Sequence, residues 1–299
     1  MISICIPIYN YYAYPLVRRL SNQIRQMSDG EFEIVCIDDH SSGYYVTQNK
    51  GISEIATFLR LGQNIGRSRI RNLFLKYTKG EYMVFLDCDM VVPDNFVKVY
   101  QREAKKGVSV AVGGVTYDER GNDTEHKLRY MYGTKVESRP AEERRKHPYR
   151  SFMTGNFMIK REILEKIRFD ESITKYGHED TLFGYRLEQA KVPISHIENA
   201  AVNGQVETNV EYLHKTVEAV ENLAEIYDRM WEDQRFCQSV RLLRVYGRLR
   251  RLGLHKMVYR LFRILKNPME SHFVSGNGIS ITQFNFYKLG ILIKKLHNM

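Results

Sequence analysis

Cysteine is scarce in this 299-residue chain: Cys5, Cys36, Cys88 and Cys237 are the only four, and none forms a C-x-x-C pair. That excludes a disulfide framework and a thiolate metal centre, and it fits a reducing compartment. Long apolar runs are missing as well, since none approaches the roughly 20 residues that a membrane span requires. Residues 2–8 already read as core strand and leave no stretch for a secretory leader. The expected location is therefore cytoplasmic. Internal repeats and low-complexity tracts are absent. Between Arg235 and Lys266 there is no acid at all, against ten Lys or Arg, which numerically matches the whole net charge of +10. No recognised nucleic-acid module accompanies that charge, so no nucleic-acid partner is expected.

What is present describes an ordinary soluble globular chain, 43% hydrophobic and 27% charged. The stretch Gly80-Glu-Tyr-Met-Val-Phe-Leu-Asp-Cys-Asp-Met90 organises the rest. Tyr82 to Leu86 is an apolar, β-branched and aromatic run that reads as a buried strand, and it ends in Asp87 and Asp89. Side chains two apart on an extended segment point the same way, so both acids can converge on one cation. Hard oxygen ligands suit Mg²⁺ or Mn²⁺, which usually bridge a substrate's phosphates.

Residues 3–8, 32–37 and 57–61 read as further strands. Helical periodicity follows at Leu16, Leu20, Ile24 and Met27, and again at Ile70, Leu73, Phe74 and Tyr77. Strands and helices in alternation predict an α/β fold with a mostly parallel sheet, whose ligands bind beyond the carboxyl ends of the strands. Three strands end in polar clusters there: Tyr9-Asn10, Asp38-Asp39 and Asp87-Asp89. Residues 118–150 are charged and predict loops or short helices. From about residue 207 long helices take over, with stripes at Leu213, Val217, Val220, Ala224 and Tyr227, then at Leu254, Met257, Val258, Leu261, Phe262 and Leu265. The division expected is 1–206 for an α/β domain and 207–299 for a helical region.

Taken in order, five segments between residues 2 and 207 resemble the inverting nucleotide-sugar glycosyltransferases of family 2, of bacterial surface-polysaccharide type. They are Ser3 to Asn10, Glu33 to Ser41, Asn64-Ile-Gly-Arg-Ser-Arg-Ile-Arg-Asn72, Asp87-Cys-Asp89 and Gly177-His-Glu-Asp-Thr-Leu-Phe-Gly-Tyr-Arg186. The resemblance implies the GT-A fold, a Rossmann-like mixed sheet flanked by helices. It implies nucleotide contacts at Pro7, Tyr9, Asn10, Asp39, Asn64, Gly66, Arg71, Asp87 and Cys88, with Tyr9 stacking on a uracil and Asp39 accepting its imino N–H. Arg67 lies one turn before Arg71 on the same face. The implied metal ligand is Asp89, with Asp87 reaching the ribose or a metal-bound water; Asn203 is a weak further ligand where many relatives place a histidine. His196 is expected to pack rather than bind. Asp180 is implied as the base that deprotonates the acceptor, with Glu179 orienting it and Gly155, Asn156 and His178 on the acceptor side.

The activity so implied is metal-dependent inverting transfer from a nucleotide-sugar, a UDP-sugar by the features around Asp39, to a glycan or lipid-linked glycan acceptor. Two rivals stand beside it. A sugar-nucleotide nucleotidyltransferase needs a Gly-rich basic loop after the first strand, and Pro7-Ile-Tyr-Asn-Tyr-Tyr12 has none. A carbohydrate- or membrane-binding scaffold would keep the fold with a degenerate site. The arginine-dense, acid-free segment 235–266 reads as basic amphipathic helix and predicts peripheral contact with the inner face of the membrane; an accessory helical bundle is the alternative reading.

Overall fold

A computed structural model describes residues 1–297. The chain divides into two compact units. One comprises Met1–Tyr117, Glu137–Thr174 and Leu182–Gln205; the other comprises Asp118–Val136, Lys175–Thr181 and the chain from Val206 onward.

The strands lie in the first unit: β1 (Ile2–Ile8), β2 (Phe32–Asp38), β3 (Thr57–Arg60), β4 (Tyr82–Leu86), β5 (Met90–Val91), β6 (Val110–Val112), β7 (Val115–Tyr117), β8 (Asn156–Lys160), β9 (Ile194–His196) and β10 (Ala201–Asn203). The helices are α1 (Tyr14–Arg25), α2 (Gly43–Gln48), α3 (Arg67–Tyr77), α4 (Phe96–Lys105), α5 (Lys127–Tyr132), α6 (Ala141–Arg145), α7 (Arg161–Lys166), α8 (Glu179–Gln189), α9 (Asn209–Met230), α10 (Gln234–Ser239), α11 (Arg241–Arg251), α12 (His255–Ser275) and α13 (Ile281–Leu296).

A seven-stranded sheet runs in the order β3-β2-β1-β4-β8-β6-β9. β1 pairs in parallel with β2 from Ile2↔Phe32 to Ile8↔Asp38, and with β4 on its other side. β8 enters antiparallel between β4 and β6. The sheet is thus mixed and mostly parallel, as expected. Its two faces follow from the period of two along a strand. Ile4, Ile6 and Ile8 pack with Leu16, Leu20 and Phe96 on one side. Cys5, Val35 and Ile37 meet Phe74, Phe85 and Phe157 on the other. Each cysteine there is simply a small buried hydrophobe.

A second, three-stranded sheet, β5-β10-β7, was not foreseen. Its strands are two or three residues long, too short for alternation to register.

In the second unit α9 opens on a capping box. Thr208 Oγ1 accepts from Glu211 N at 3.3 Å, and Thr208 N donates to Glu211 Oε2 at 3.0 Å. Phe273 meets Phe284 and Tyr287 edge-on, and Tyr212 tilts against Phe284, between α9, α12 and α13, with Phe273 and Phe284 centroids 5.4 Å apart. Among the described residues no helix is long and apolar enough to cross a membrane. The stripe expected along α12 divides between two faces: Phe262 is buried, whereas Met257, Leu261 and Leu265 are exposed.

Candidate functional site

The parallel strands β2, β1 and β4 carry their polar tips to one edge of the first unit. At the tip of β1, Tyr9 is 54% exposed and Asn10 takes a positive φ of 47°. Asn10 N donates to Ser41 Oγ at 2.8 Å, and Ser42 N donates to Asn10 Oδ1 at 2.9 Å. The loops after β1 and β2 are thereby clamped together, and the Asn10 amide oxygen serves that clamp. Pro7 sits in β1 opposite Ile37.

Asp39, at the tip of β2, is buried and reaches to the loop before α3. Its Oδ1 accepts from Ile65 N at 2.8 Å and its Oδ2 from Gly66 N at 3.1 Å; Asn64 Nδ2 donates to its carbonyl at 3.2 Å. Burial raises its pKa above the usual carboxylate value, against the opposing pull of the two backbone N–H groups. Each oxygen keeps a second lone pair for a ligand donor. Gly66 stands at φ 82°, ψ 169° before the first residue of α3, a conformation that is almost glycine-only.

Arg71 is 1% exposed. Its Nη2 donates to Asp87 Oδ1 at 2.9 Å, its Nη1 donates to the Arg67 carbonyl at 3.2 Å, and its guanidinium lies 5.8 Å from the Phe169 ring centre. The family resemblance implies a nucleotide contact at Arg71. Here Arg71 is fastened to Asp87, so its influence runs through that carboxylate. Arg67 is exposed at the start of α3 and lies within electrostatic reach of Cys88.

β4 stops at Leu86, so Asp87 and Asp89 are not on extended strand as expected. Residues 87–90 form a turn closed by Met90 N donating to Asp87 O at 3.2 Å. Asp87 N donates to Gly155 O at 3.0 Å, and a β-carbon on Gly155 would come within 3.2 Å of Asp87 Oδ2. The missing side chain leaves room for the Asp87 carboxylate and the end of Met90. The Cys88 thiol is held protonated by burial and by its neighbours Asp89 and Asp87. Tyr11, which sequence reasoning passed over, has its pKa raised by burial and then by Asp89. Only spatial proximity reveals it.

Two expected contributors are otherwise engaged. Asn156 is buried, with Nδ2 donating to Gly114 O at 2.9 Å and Asn199 O at 2.8 Å, and Oδ1 accepting from Tyr100 Oη at 2.7 Å. Its amide braces β8. Asn203 pairs across from Met90 in the small sheet, and its Oδ1 accepts from Gln205 N at 3.1 Å. His196 packs as expected: Arg144 Nη1 lies 2.9 Å from Nδ1, Nε2 lies 2.9 Å from the Pro148 carbonyl, and burial lowers its pKa to about 4.

In the second unit Gly177 and His178 take successive positive φ values of 89° and 68° just before α8. His178 Nδ1 lies 3.1 Å from Thr181 Oγ1, and burial lowers its pKa to about 4, with Lys288 adding to the effect. Glu179 is buried; Asp180 Oδ1 accepts from Thr181 N at 2.6 Å. Both acids occupy the first turn of α8, where the helix dipole favours negative charge.

Among the described residues no three His, Cys, Asp or Glu side chains cluster to hold a metal. The chemistry of Asp87 and Asp89 nonetheless suits Mg²⁺ or Mn²⁺, since such ions are bound through one or two carboxylates, with substrate phosphates and water completing the shell.

The sequence profile of Glycosyl transferase family 2 matches residues 3–168, more than half of the chain. A Campylobacter jejuni GalNAc(5)-diNAcBac-PP-undecaprenol beta-1,3-glucosyltransferase is 26% identical over 188 residues, 61% of this chain and 58% of that protein. The chain spans less than two thirds of the length of the curated relatives it matches. Among solved structures, a mannosyltransferase from Pyrobaculum calidifontis in complex with GDP-Man and Mn²⁺ superposes with a TM-score of 0.56 at 12% identity, over 99% of this chain and 87% of that one. Glucosyl-3-phosphoglycerate synthase from Mycobacterium tuberculosis, in complex with Mn²⁺, UDP and glucosyl-3-phosphoglycerate, gives 0.52 at 16%, over 77% and 79%. At such identities the likeness is one of fold, the GT-A fold.

Proposed function

Because this chain belongs to glycosyl transferase family 2, we propose that it transfers one sugar, with inversion, from a nucleotide-sugar to a glycan or lipid-linked glycan acceptor of a cell-surface polysaccharide. The observation that carries the reading is the buried Arg71 fixed on Asp87 at 2.9 Å, beside a strand-tip Asp39 that grips the start of α3. A carboxylate aimed by a buried guanidinium is preorganised, as a ligand site needs.

In this reading Tyr9 stacks on the base and Asp39 accepts its imino N–H, a donor that uracil and guanine carry and adenine and cytosine lack. That the mycobacterial neighbour binds UDP and the archaeal one GDP-Man leaves both donors to be tried. Asp87, oriented by Arg71, meets the ribose or a water. Asp89 is the residue that would hold Mn²⁺ or Mg²⁺, with Asp87 beside it; Asn203, whose amide oxygen keeps a second lone pair beside its bond from Gln205 N, is a weak further ligand. A divalent cation there supplies Lewis-acid neutralisation of the departing diphosphate. Asp180 takes the proton from the acceptor hydroxyl as that oxygen attacks the anomeric carbon from behind, and Glu179 orients the acceptor. Gly155 and His178 contribute main chain on the acceptor side. A lipid-linked acceptor, like the undecaprenol-linked one in the name of the Campylobacter relative, accords with peripheral membrane contact through 235–266 from the cytoplasmic side.

The test is thermal unfolding with UDP and Mn²⁺, since a ligand at about 100 times its Kd adds roughly 2.7 kcal/mol to the folded state. Wild type is expected to gain several degrees, Asp89→Ala none. Asp180→Asn is expected to keep the gain and lose transfer in a screen of UDP- and GDP-sugars. No protection of the wild type by any nucleotide would leave a scaffold; full turnover by Asp180→Asn would remove it as the base.

A further inference from the structure

Helix α12 of the second unit is apolar on two opposite sides. Tyr259, Phe262, Met269 and Phe273 are buried on one. At about 100° per residue, Met257, Leu261 and Ile264 fall on the other and Leu265 on the shoulder between, and they stand bare: Met257 is 61% exposed, Leu261 49%, Ile264 73% and Leu265 38%. Scattered exposed leucines mean nothing, but four at i, i+4, i+7 and i+8 form a continuous ridge. Lys256, Arg260 and Arg263, all exposed, run at i, i+4 and i+7 along one flank of it. Leu252 and Leu254, exposed in the turn that enters α12, extend the ridge beyond its first turn.

No acid lies on this surface of the helix. Glu270, the first acid after the ridge in sequence, accepts from Tyr287 Oη at 2.6 Å and is 3.6 Å from Lys266 Nζ. An ordinary solvated helix face mixes acids with bases and carries no apolar crest.

We propose that α12 seats on an anionic phospholipid surface, with Met257, Leu261, Ile264 and Leu265 sunk among the acyl chains and Lys256, Arg260 and Arg263 on headgroup phosphates. Charge complementarity selects this occupant. A second copy packed ridge to ridge would bring another basic flank and no acid to pair with the first. A nucleic acid answers to the bases but gives the crest nothing to bury against. The helix lies along the interface rather than spanning it, as its polar flank requires. This inference rests on the reading of a lipid-linked acceptor for its purpose, but its test reads lipid binding alone.

The experiment is flotation of the full chain with vesicles of phosphatidylcholine alone or phosphatidylcholine with phosphatidylglycerol. Wild type is expected to float with the anionic vesicles and stay behind with the neutral ones. The pair Leu261→Ser with Ile264→Ser, and separately Arg260→Glu with Arg263→Glu, are expected to weaken binding by about tenfold or more. Because these side chains are exposed, the thermal midpoint of each variant should match wild type. Wild type that ignores anionic vesicles overturns the proposal, as does undiminished binding by the serine pair. So does a wild-type dimer on size exclusion that the serine pair makes monomeric. The UDP and Mn²⁺ shift is measured on the same samples: its absence with vesicle binding intact sinks the transferase reading and leaves the membrane seat, while the reverse does the opposite.

Discussion

Arg71 ties its neighbourhood together through one guanidinium. It is fully enclosed, donating to Asp87 and to the Arg67 carbonyl and standing over Phe169. Arg71→Leu leaves the Asp87 carboxylate without its buried donor, at a cost of roughly 2–3 kcal/mol. Urea unfolding should report that loss as a lower midpoint at unchanged slope. Arg71→Lys should recover little of it, since an ammonium lacks the planar fork that serves Asp87 and the carbonyl together. Much at this scale was legible in the sequence, because Asp39, Arg71 and Asp87 sit at strand tips and a helix start that periodicity locates. The engagement of Asn156 was not legible. Its partners Tyr100, Gly114 and Asn199 are 56, 42 and 43 residues away, and no local pattern announces a bond across such separations.

The loop into α3 depends on a backbone shape rather than on a side chain. Gly66 at φ 82° and ψ 169° delivers its own N–H and that of Ile65 to Asp39. A β-carbon there would meet only Thr174 O, at 3.6 Å, so space is not the obstacle. Gly66→Ala should therefore cost about 1–3 kcal/mol through conformational strain alone. The same denaturant titration checks it, with Asn64→Ala as a milder control expected within about 1 kcal/mol of wild type for the loss of one part-buried hydrogen bond. Elements such as α1 and α9 were readable from their apolar spacing. The faces of α12 were not, because periodicity says which residues share a side and not whether anything covers it. The residues 87–90 turn escaped for a related reason: an apolar run shows where a strand is, and its last residue stays ambiguous by one or two positions.

Across the whole chain, the buried His196 and the half-buried His178 set an acid limit. His178 and His196 each have a pKa lowered from 6.5 to about 4, with burial the leading cause. The folded state holds both neutral, while the unfolded chain takes up protons as pH falls below its ordinary value. Their contribution is complete above about pH 6.5 and is lost toward pH 4, at about 1.4 kcal/mol per unit for each histidine. Urea midpoints at about pH 7 and about pH 5 should differ accordingly, and His196→Gln should flatten the dependence by about that single-histidine slope. An unchanged slope in that variant would mean the ring is solvated. At this scale the strand–helix alternation announced an α/β sheet, but the reversed β8 followed no rule that a single sequence displays.

The two units also exchange chain five times, at 117/118, 136/137, 174/175, 181/182 and 205/206. Excision behind residue 206 would strip α9 to α13 but strand Asp118–Val136 and Lys175–Thr181, the latter bearing Glu179 and Asp180, without the rest of their unit. A truncated N-terminal fragment is therefore a poor stand-in for the intact polypeptide, and a cut there would amputate the fold of the acidic pair while leaving its letters in place.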